Sequence, residues 1–184
     1  MKPNLYELPK DLPVPIDDGA ANHLLGRRVP PIELMSTANR MVNLTEVSNR
    51  QRTVVYCYPL TAPDRELPTG WNEIAGARGC TPQSCAFRDH FSELQSLDAM
   101  VFGLSTQTTS YQQETAARLH LPFEVLSDAE LTFTKALELP TFEIESKVFL
   151  KRLTFIVSGG KIIKVFYPVF PPDKNAEEVI AWLS

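Results

Sequence analysis

Residues 53–58 read TVVYCY, a compact run of β-branched and aromatic side chains that ends at Pro59. A run of this kind is typical of a strand that is buried on both faces in a mostly parallel sheet. Residues 100–104 (MVFGL) form the next run of the same type and predict a second buried strand. The two runs together predict a β-sheet at the centre of the molecule.

Shorter elements surround these two strands. Residues 159 and 160 (GG) separate two apolar runs, which is a strong signal for a β-hairpin. A final helix is expected through residues 181–183, capped by Asp173 or Asn175. Strands that alternate with helices and end in a hairpin predict an α/β fold, a mixed central β-sheet flanked by helices, and a thioredoxin-like fold satisfies that order. The remaining predicted elements are strands at residues 32–37, 41–44, 123–126, 151–157 and 161–167 and helices at 110–119 and 131–137.

Length and charge limit the classes of function. The 184 residues fit a single domain over residues 1–184, with a Pro-rich extended arm at residues 1–15. A net charge of −4 argues against nucleic acid or an anionic membrane surface as the main partner, since both need basic patches. No apolar run approaches the ~20 residues of a membrane helix, and the first residues lack the apolar stretch of a signal peptide. A cytoplasmic location, where thiols are kept reduced, is therefore expected.

The segment at residues 60–79 is predicted to be a long irregular connection, and loops of that length are usually functional. It leads into a predicted helix, with Thr81 as the N-cap and Pro82 in the first turn. Cys80 therefore lies where free backbone N–H groups and the helix dipole favour an anion. Such positions, or nearby cations, lower the pKa of a thiol from about 8.5 to between ~3.5 and 7.5. The candidate cations are Arg78, Arg88 and Arg152.

The cysteines also have plainer interpretations. Cys57 lies in the middle of the first quoted strand and is expected to be a small buried hydrophobe. Cys80, Cys85 and His90 are conceivable zinc ligands, but their spacing is wider than the usual one and a fourth ligand is lacking, so no metal is expected. A close pair of cysteines in a cytosolic chain is more often catalytic or metal-binding than structural. Chemistry at Cys80 and Cys85 is therefore the main interpretation.

Five segments of the chain together resemble one family. Residues 79–89 (GCTPQSCAFRD) are similar to the motif of the peroxiredoxins, and most closely of the branch called peroxiredoxin Q or bacterioferritin comigratory protein. Residues 54–59 and 102–105 resemble two strands of that family. Residues 121–128 (LPFEVLSD) and 152–155 (RLTF) resemble two of its further motifs. The resemblance extends from about residue 32 to residue 165.

The resemblance implies a thiol peroxidase without metal or organic cofactor. By position in the motif, Cys80 is the peroxidatic cysteine and Cys85 the resolving cysteine. Arg152 would support the thiolate and the peroxide, with Arg88 and Thr81 as further candidates. The implied substrate is hydrogen peroxide or an organic hydroperoxide, and the implied reductant is a thioredoxin-like dithiol. Both a monomer and a homodimer agree with this assignment.

The segment before Cys80 departs from the family pattern: Glu73 stands where the family has a proline, and the connecting loop is longer. The family has a threonine three residues before the peroxidatic cysteine, where this chain has Ala77. The hydroxyl that would contact the peroxide is therefore missing, and Thr61, Thr69 and Thr81 are candidates to supply it. The departure favours an alternative function, a redox sensor or relay that passes oxidation to a partner protein. A disulfide oxidoreductase of the thioredoxin kind is disfavoured, because those typically use Cys-x-x-Cys.

Overall fold

A seven-stranded β-sheet forms the centre of the molecule, as seen in a computed structural model that describes residues 4–62 and 67–184. Within these ranges the strands are β1 (Glu33–Ser36), β2 (Met41–Asn43), β3 (Arg52–Cys57), β4 (Ala99–Ser105), β5 (Glu124–Ser127), β6 (Thr141–Ile144), β7 (Lys147–Leu150), β8 (Leu153–Ser158) and β9 (Lys161–Phe166). The central sheet has the order β2-β1-β5-β4-β3-β8-β9, and β6 and β7 form a separate hairpin.

Helices cover both faces of this sheet. They are α1 (Leu44–Ser48), α2 (Cys80–Asp89), α3 (Phe91–Ser96), α4 (Thr109–Leu119), α5 (Thr132–Leu137) and α6 (Asn175–Leu183). Two 3₁₀ turns, Trp71–Glu73 and Pro172–Lys174, precede α2 and α6. None of the helices in the described ranges is both long enough and apolar enough to cross a membrane.

Strand β3 lies in the interior of the sheet, between β4 and β8, and is buried on both faces, as its composition predicts. Val55 and Cys57 face one apolar core, together with side chains of α1 and α5. Val54 and Tyr56 face the other, together with side chains of α2, α3 and α6. Because side chains alternate along a strand, the consecutive apolar residues of β3 have to fill two cores. Side chains of β3 therefore pack directly against α2.

The sheet is mixed, and the thioredoxin-like α/β fold expected from the sequence is confirmed. Strand β3 pairs in parallel with β4, and β4 pairs in parallel with β5. On its other edge, β3 pairs antiparallel with β8, which leads into the hairpin partner β9. The expectation of mostly parallel surroundings for β3 was therefore wrong on one side. Apolar residues on both faces of a strand indicate that the strand is buried, and a buried strand can pair with its neighbours in parallel or antiparallel.

The N-caps predicted for helices α2 and α6 were both wrong. Gly79, with a φ of 104°, is the N-cap of α2, so the helix begins at Cys80 and Thr81 is already inside it. Helix α6 continues from the preceding 3₁₀ turn, and its N-cap, Lys174, has a helical backbone. Neither Asp173 nor Asn175 caps that helix. Asn175 is instead buried and hydrogen-bonded to side chains of other elements.

The connection before α2 is anchored by an aromatic cluster around Trp71, a residue expected from the sequence to anchor this loop. Trp71 is buried and packs against Phe142 and Phe149 of the β6–β7 hairpin, with ring centroids 5.6 and 5.2 Å away. The expected irregular connection falls partly on residues 63–66, which lie outside the described residues. In the described part of 60–79, the only helical segment is the 3₁₀ turn at Trp71–Glu73. Residues 4–15 of the expected arm contain neither helix nor strand.

Candidate active site

The first residue of helix α2 is Cys80, and the backbone of Gly79 positions it. A Cβ on Gly79 would lie 2.4 Å from Cγ of Pro172 and 2.8 Å from Cδ2 of Leu8. The φ of 104° is also one that side chains other than glycine rarely adopt. Glycine at this position therefore lets the chain turn into the helix while two other segments pack closely against it.

Cys80 and Arg152 are in direct contact, although 72 positions separate them in the sequence. Nη2 of Arg152 donates to Sγ of Cys80 at 3.2 Å, and Sγ of Cys80 lies 3.6 Å from the carbonyl oxygen of Ala77. Both side chains are 4% exposed. A guanidinium in this position stabilises a negative charge on sulfur, because the low local dielectric strengthens the attraction.

The guanidinium of Arg152 is held in one orientation by its other hydrogen bonds. It donates to the carbonyl oxygens of Gly76, Ala77 and Arg78 at 3.1–3.2 Å. Its Nη1 donates to Oε1 of Gln83 at 2.5 Å. The planar fork of an arginine fits several acceptors at once, which a lysine would not do. Arg152 therefore links the loop before α2 to the first turn of that helix.

Gln83 and Asn175 support Arg152 through buried hydrogen bonds. Nε2 of Gln83 donates to Oδ1 of Asn175 at 3.0 Å, and the hydroxyl of Thr154 donates to the same oxygen at 2.6 Å. All three side chains are fully buried. The roles of these residues were not predicted from the sequence. Gln83 follows Cys80 by three positions, a spacing that places two side chains on the same face of a helix, so its position near Cys80 could have been predicted. No local pattern connects Asn175 or Thr154 to the site.

Arg78 is a second buried guanidinium beside Cys80. It is 6% exposed, and its Nη2 donates to the carbonyl oxygen of Asn4 at 3.3 Å. Its Nη1 is buried and has no hydrogen-bond partner within residues 4–62 and 67–184. Burial lowers the pKa of Arg78, and the neighbouring Cys80 opposes that shift. Arginine nevertheless stays protonated in proteins, so the site contains two cations.

A small cavity of about 20 Å³ lies at Cys80. Of the three threonines considered for the missing hydroxyl, only Thr81 lines this cavity. The hydroxyl of Thr61 is bonded to Gln107 and Thr115, and Thr69 is bonded to Glu145 through its backbone N–H. The other lining residues are Leu5, Leu60, Ala62, Leu67, Trp71, Ala77, Arg78 and Gly79.

Cys85 lies on the same helix and is partly exposed. Burial raises the pKa of its thiol, while the charges of Arg88 and Arg118 act in the opposite direction. Arg88 is bonded to Asp89 and to the carbonyl oxygen of Leu119. It follows Cys80 by eight positions, a rise of about 12 Å along a helix. The structure therefore brings Arg88 to Cys85 and not to Cys80, where the sequence analysis had also considered it.

The third cysteine, Cys57, is fully buried in β3. Burial strongly raises the pKa of its thiol, so it stays protonated at neutral pH. All three cysteines are free thiols in this structure. Across the described part of the chain, no group of three or more His, Cys, Asp and Glu side chains could hold a metal ion.

Comparisons with known proteins agree on one family. Residues 24–180 match the family model described as Redoxin. Peroxiredoxin Q, chloroplastic, from Sedum lineare is 28% identical over 160 residues, covering 86% of this chain and 77% of the relative. The putative peroxiredoxin bcp from Coxiella burnetii is 24% identical over 163 residues, covering 86% of this chain and 97% of the relative.

Solved structures show the same fold. Peroxidoxin BcpB from Mycobacterium tuberculosis superposes with a TM-score of 0.70 at 24% identity, covering 87% of this chain and 96% of that chain. A mutant of PrxQ from Xylella fastidiosa superposes with a TM-score of 0.68 at 20% identity, covering 86% of this chain and 94% of that chain.

Proposed function

The chain belongs to the redoxin family, and from this premise we propose that it is a thiol peroxidase of the peroxiredoxin Q type. The contact between Cys80 and Arg152 carries the proposal: a buried sulfur receives a hydrogen bond from a guanidinium at 3.2 Å. The thiolate form of Cys80 is the nucleophile. It attacks the terminal oxygen of a hydroperoxide, an S–O bond forms as the O–O bond breaks, and the departing oxygen takes up a proton.

Cys85 completes the cycle in this proposal. Its thiol attacks the sulfenic acid of Cys80, which gives an intramolecular disulfide and releases water. An external dithiol of the thioredoxin type then reduces the disulfide. Two features support this step: Cys85 is partly exposed, and it lies only five positions after Cys80 in the sequence. The cytoplasm is the proposed location, although relatives named as chloroplastic occur.

The proposal is tested by stopped-flow oxidation of the reduced protein with hydrogen peroxide and with an alkyl hydroperoxide. Cys80→Ser should abolish peroxide consumption. Cys57→Ser is the matched control, because Cys57 is buried in the other core, and it should react at the normal rate. Equal rates in Cys80→Ser and the unmodified protein would refute the assignment.

The alternative, a redox sensor or relay, is favoured by the missing hydroxyl at Ala77. A sensor would oxidise slowly with free peroxide and pass its disulfide to a partner protein. Mixed disulfides of Cys85→Ser trapped on a protein partner, together with a slow reaction with both peroxides, would favour the sensor. Fast multiple turnover with a thioredoxin-type reductant would favour the peroxidase.

A further inference from the structure

Arg78 lines the cavity of Cys80, and one of its guanidinium nitrogens, Nη1, has no partner among the described residues. Arg78 is 6% exposed, and the only hydrogen bond of its side chain in the described structure goes to the backbone carbonyl of Asn4. No carboxylate among the described residues forms an ion pair with it. A buried charge is ordinarily paired, because losing its hydration is costly. The Nη1 donor is thus free to bind a group that enters the cavity.

The cavity has the size and the charge for the oxygen atoms of a peroxide. Its volume of about 20 Å³ is enough for roughly one water-sized group. A carbon substituent of the peroxide must therefore stay outside, and the O–O end enters. Arg78 lines the cavity and Arg152 donates to Sγ of Cys80, so two guanidinium groups lie close to one sulfur. The cavity consequently carries an excess of positive charge where negative charge develops on the leaving oxygen.

We infer that Arg78 is a second catalytic donor, whose Nη1–H binds the peroxide and stabilises the leaving oxygen as the O–O bond breaks. This inference rests on the proposed function. Electrons move from the sulfur of Cys80 to the peroxide, so Cys80 is oxidised to the sulfenic acid. The leaving oxygen is reduced and takes its proton from solvent. Arg78 thereby performs the contact that the methyl group of Ala77 is unable to make.

The test separates binding of the peroxide from ionisation of the thiol. The second-order rate of Cys80 oxidation by hydrogen peroxide is measured against pH for the unmodified protein and for Arg78→Met. At high pH the thiol is fully ionised, and the rate reaches a plateau that no longer depends on thiolate stability. We expect this plateau to fall by about 10²-fold, as on removal of one oxyanion donor. If the pH profile of Arg78→Met is only shifted along the pH axis and its plateau rate is unchanged, Arg78 affects the ionisation of the thiol alone. That result would overturn the inference.

Arg52→Met is the matched control. Arg52 is also partly buried and donates to a carbonyl oxygen, that of Leu97, but it does not line the cavity. The plateau of the oxidation rate at high pH in Arg52→Met should equal that of the unmodified protein. If Arg78→Met does not fold, as judged by circular dichroism, Arg78→Lys replaces it, because lysine keeps the charge and loses the fork. A fall of the plateau smaller than about 10²-fold is expected, and an unchanged plateau again overturns the inference.

A rescue experiment distinguishes Arg78 from its neighbour Thr81. Adding Ala77→Thr to Arg78→Met should recover part of the lost rate, because a hydroxyl then offers the missing donor. A fall of the plateau in Thr81→Val, without a fall in Arg78→Met, would assign the role to Thr81 instead. Failure of the proposed function looks different, since the unmodified protein would then oxidise slowly at every pH.

Discussion

Gln83 and Asn175 lie 92 positions apart in the sequence and share a buried hydrogen bond of 3.0 Å from Nε2 to Oδ1. The direction of this bond determines which end of the Gln83 amide faces Arg152. Asn175 accepts from Gln83 and from Thr154 through the same oxygen, so Gln83 presents its own oxygen to the guanidinium. A guanidinium only donates, and the reverse orientation of the amide would leave two donors facing each other.

Asn175 is therefore expected to act as a positioning residue for Arg152. Asn175→Ala removes the acceptor, frees the Gln83 amide to turn, and should lower the rate of Cys80 oxidation roughly tenfold or more through misplacement of the guanidinium. Asn175→Asp keeps an acceptor at the same place and should retain more of the rate than Asn175→Ala. Stopped-flow rates compared with melting temperatures check this. Loss of melting temperature without loss of rate in Asn175→Ala would show a purely structural role.

Arg152 itself is expected to be needed for the chemical step. Arg152→Met removes the contact with Sγ of Cys80 and should lower the second-order rate with peroxide by about 10²-fold or more. Arg152→Lys keeps the charge, but a lysine cannot donate hydrogen bonds to the carbonyl oxygens, Gln83 and Cys80 at the same time. An intermediate rate is therefore expected. Because Arg152 is buried and joins the loop to α2, the melting temperature should also fall. An unaltered rate in folded Arg152→Met would refute the role.

The step that forms the disulfide is expected to become faster as the pH rises. Burial raises the pKa of Cys85, so a smaller fraction is thiolate at neutral pH than for a free thiol. Below that raised pKa, each unit of pH increases the thiolate fraction about tenfold. The decay of the sulfenic acid after a single addition of peroxide measures this rate. In Cys85→Ser the decay by this route should be absent, and a pH-independent decay in the unmodified protein would contradict the prediction.

The disulfide is also expected to unwind the start of α2. Five residues of a helix rise about 7.5 Å and turn about 500°, which leaves the side chains of Cys80 and Cys85 roughly 140° apart. A disulfide needs Cα atoms within about 4.4 to 6.8 Å and Cβ atoms that point at each other. Unwinding would break the bond between Ser84 and the hydroxyl of Tyr56. Phe87, fully buried and stacked on Tyr56 at 4.5 Å, should remain packed.

Hydrogen exchange of the reduced and oxidised protein measures this change. Residues 80–86 should lose protection on oxidation, and the segment from Phe87 onward should keep it. Peptide mapping should find the bond between Cys80 and Cys85. Oxidised Cys85→Ser, which lacks the second thiol, should keep its protection. Full protection across residues 84–87 in the disulfide form would exclude the unwinding.

Gly79 is expected to be essential for the stability of the site. Gly79→Ala adds a Cβ at a positive φ and against Pro172, and backbone strain of this kind alone is worth about 1–3 kcal/mol. Gly26→Ala is the matched control, because Gly26 has a φ of 81° but nothing within 4 Å of an added Cβ. Urea unfolding should show a larger loss of stability for Gly79→Ala. Equal losses would mean that the close packing against Pro172 contributes nothing.

Most of the fold could be predicted from local patterns. The apolar runs at β3 and β4 and the glycine pair between β8 and β9 determine the elements, because burial and turn geometry act over a few residues. The β6–β7 hairpin was not predicted. The two caps were misassigned because capping depends on where the preceding chain can turn, and at α2 a glycine in the left-handed region took that position.

The family resemblance, the α/β architecture and the cysteine pair at the start of a helix could all be predicted from local patterns in the sequence. Which side chains surround Cys80 depends on how distant elements pack. This packing brought Arg152 and Asn175 to α2, left Arg78 buried without a partner for its Nη1 among the described residues, and placed Arg88 beside Cys85. Helix and strand patterns depend on interactions between residues only a few positions apart. An active site, in contrast, is assembled by packing between elements that are distant in the chain.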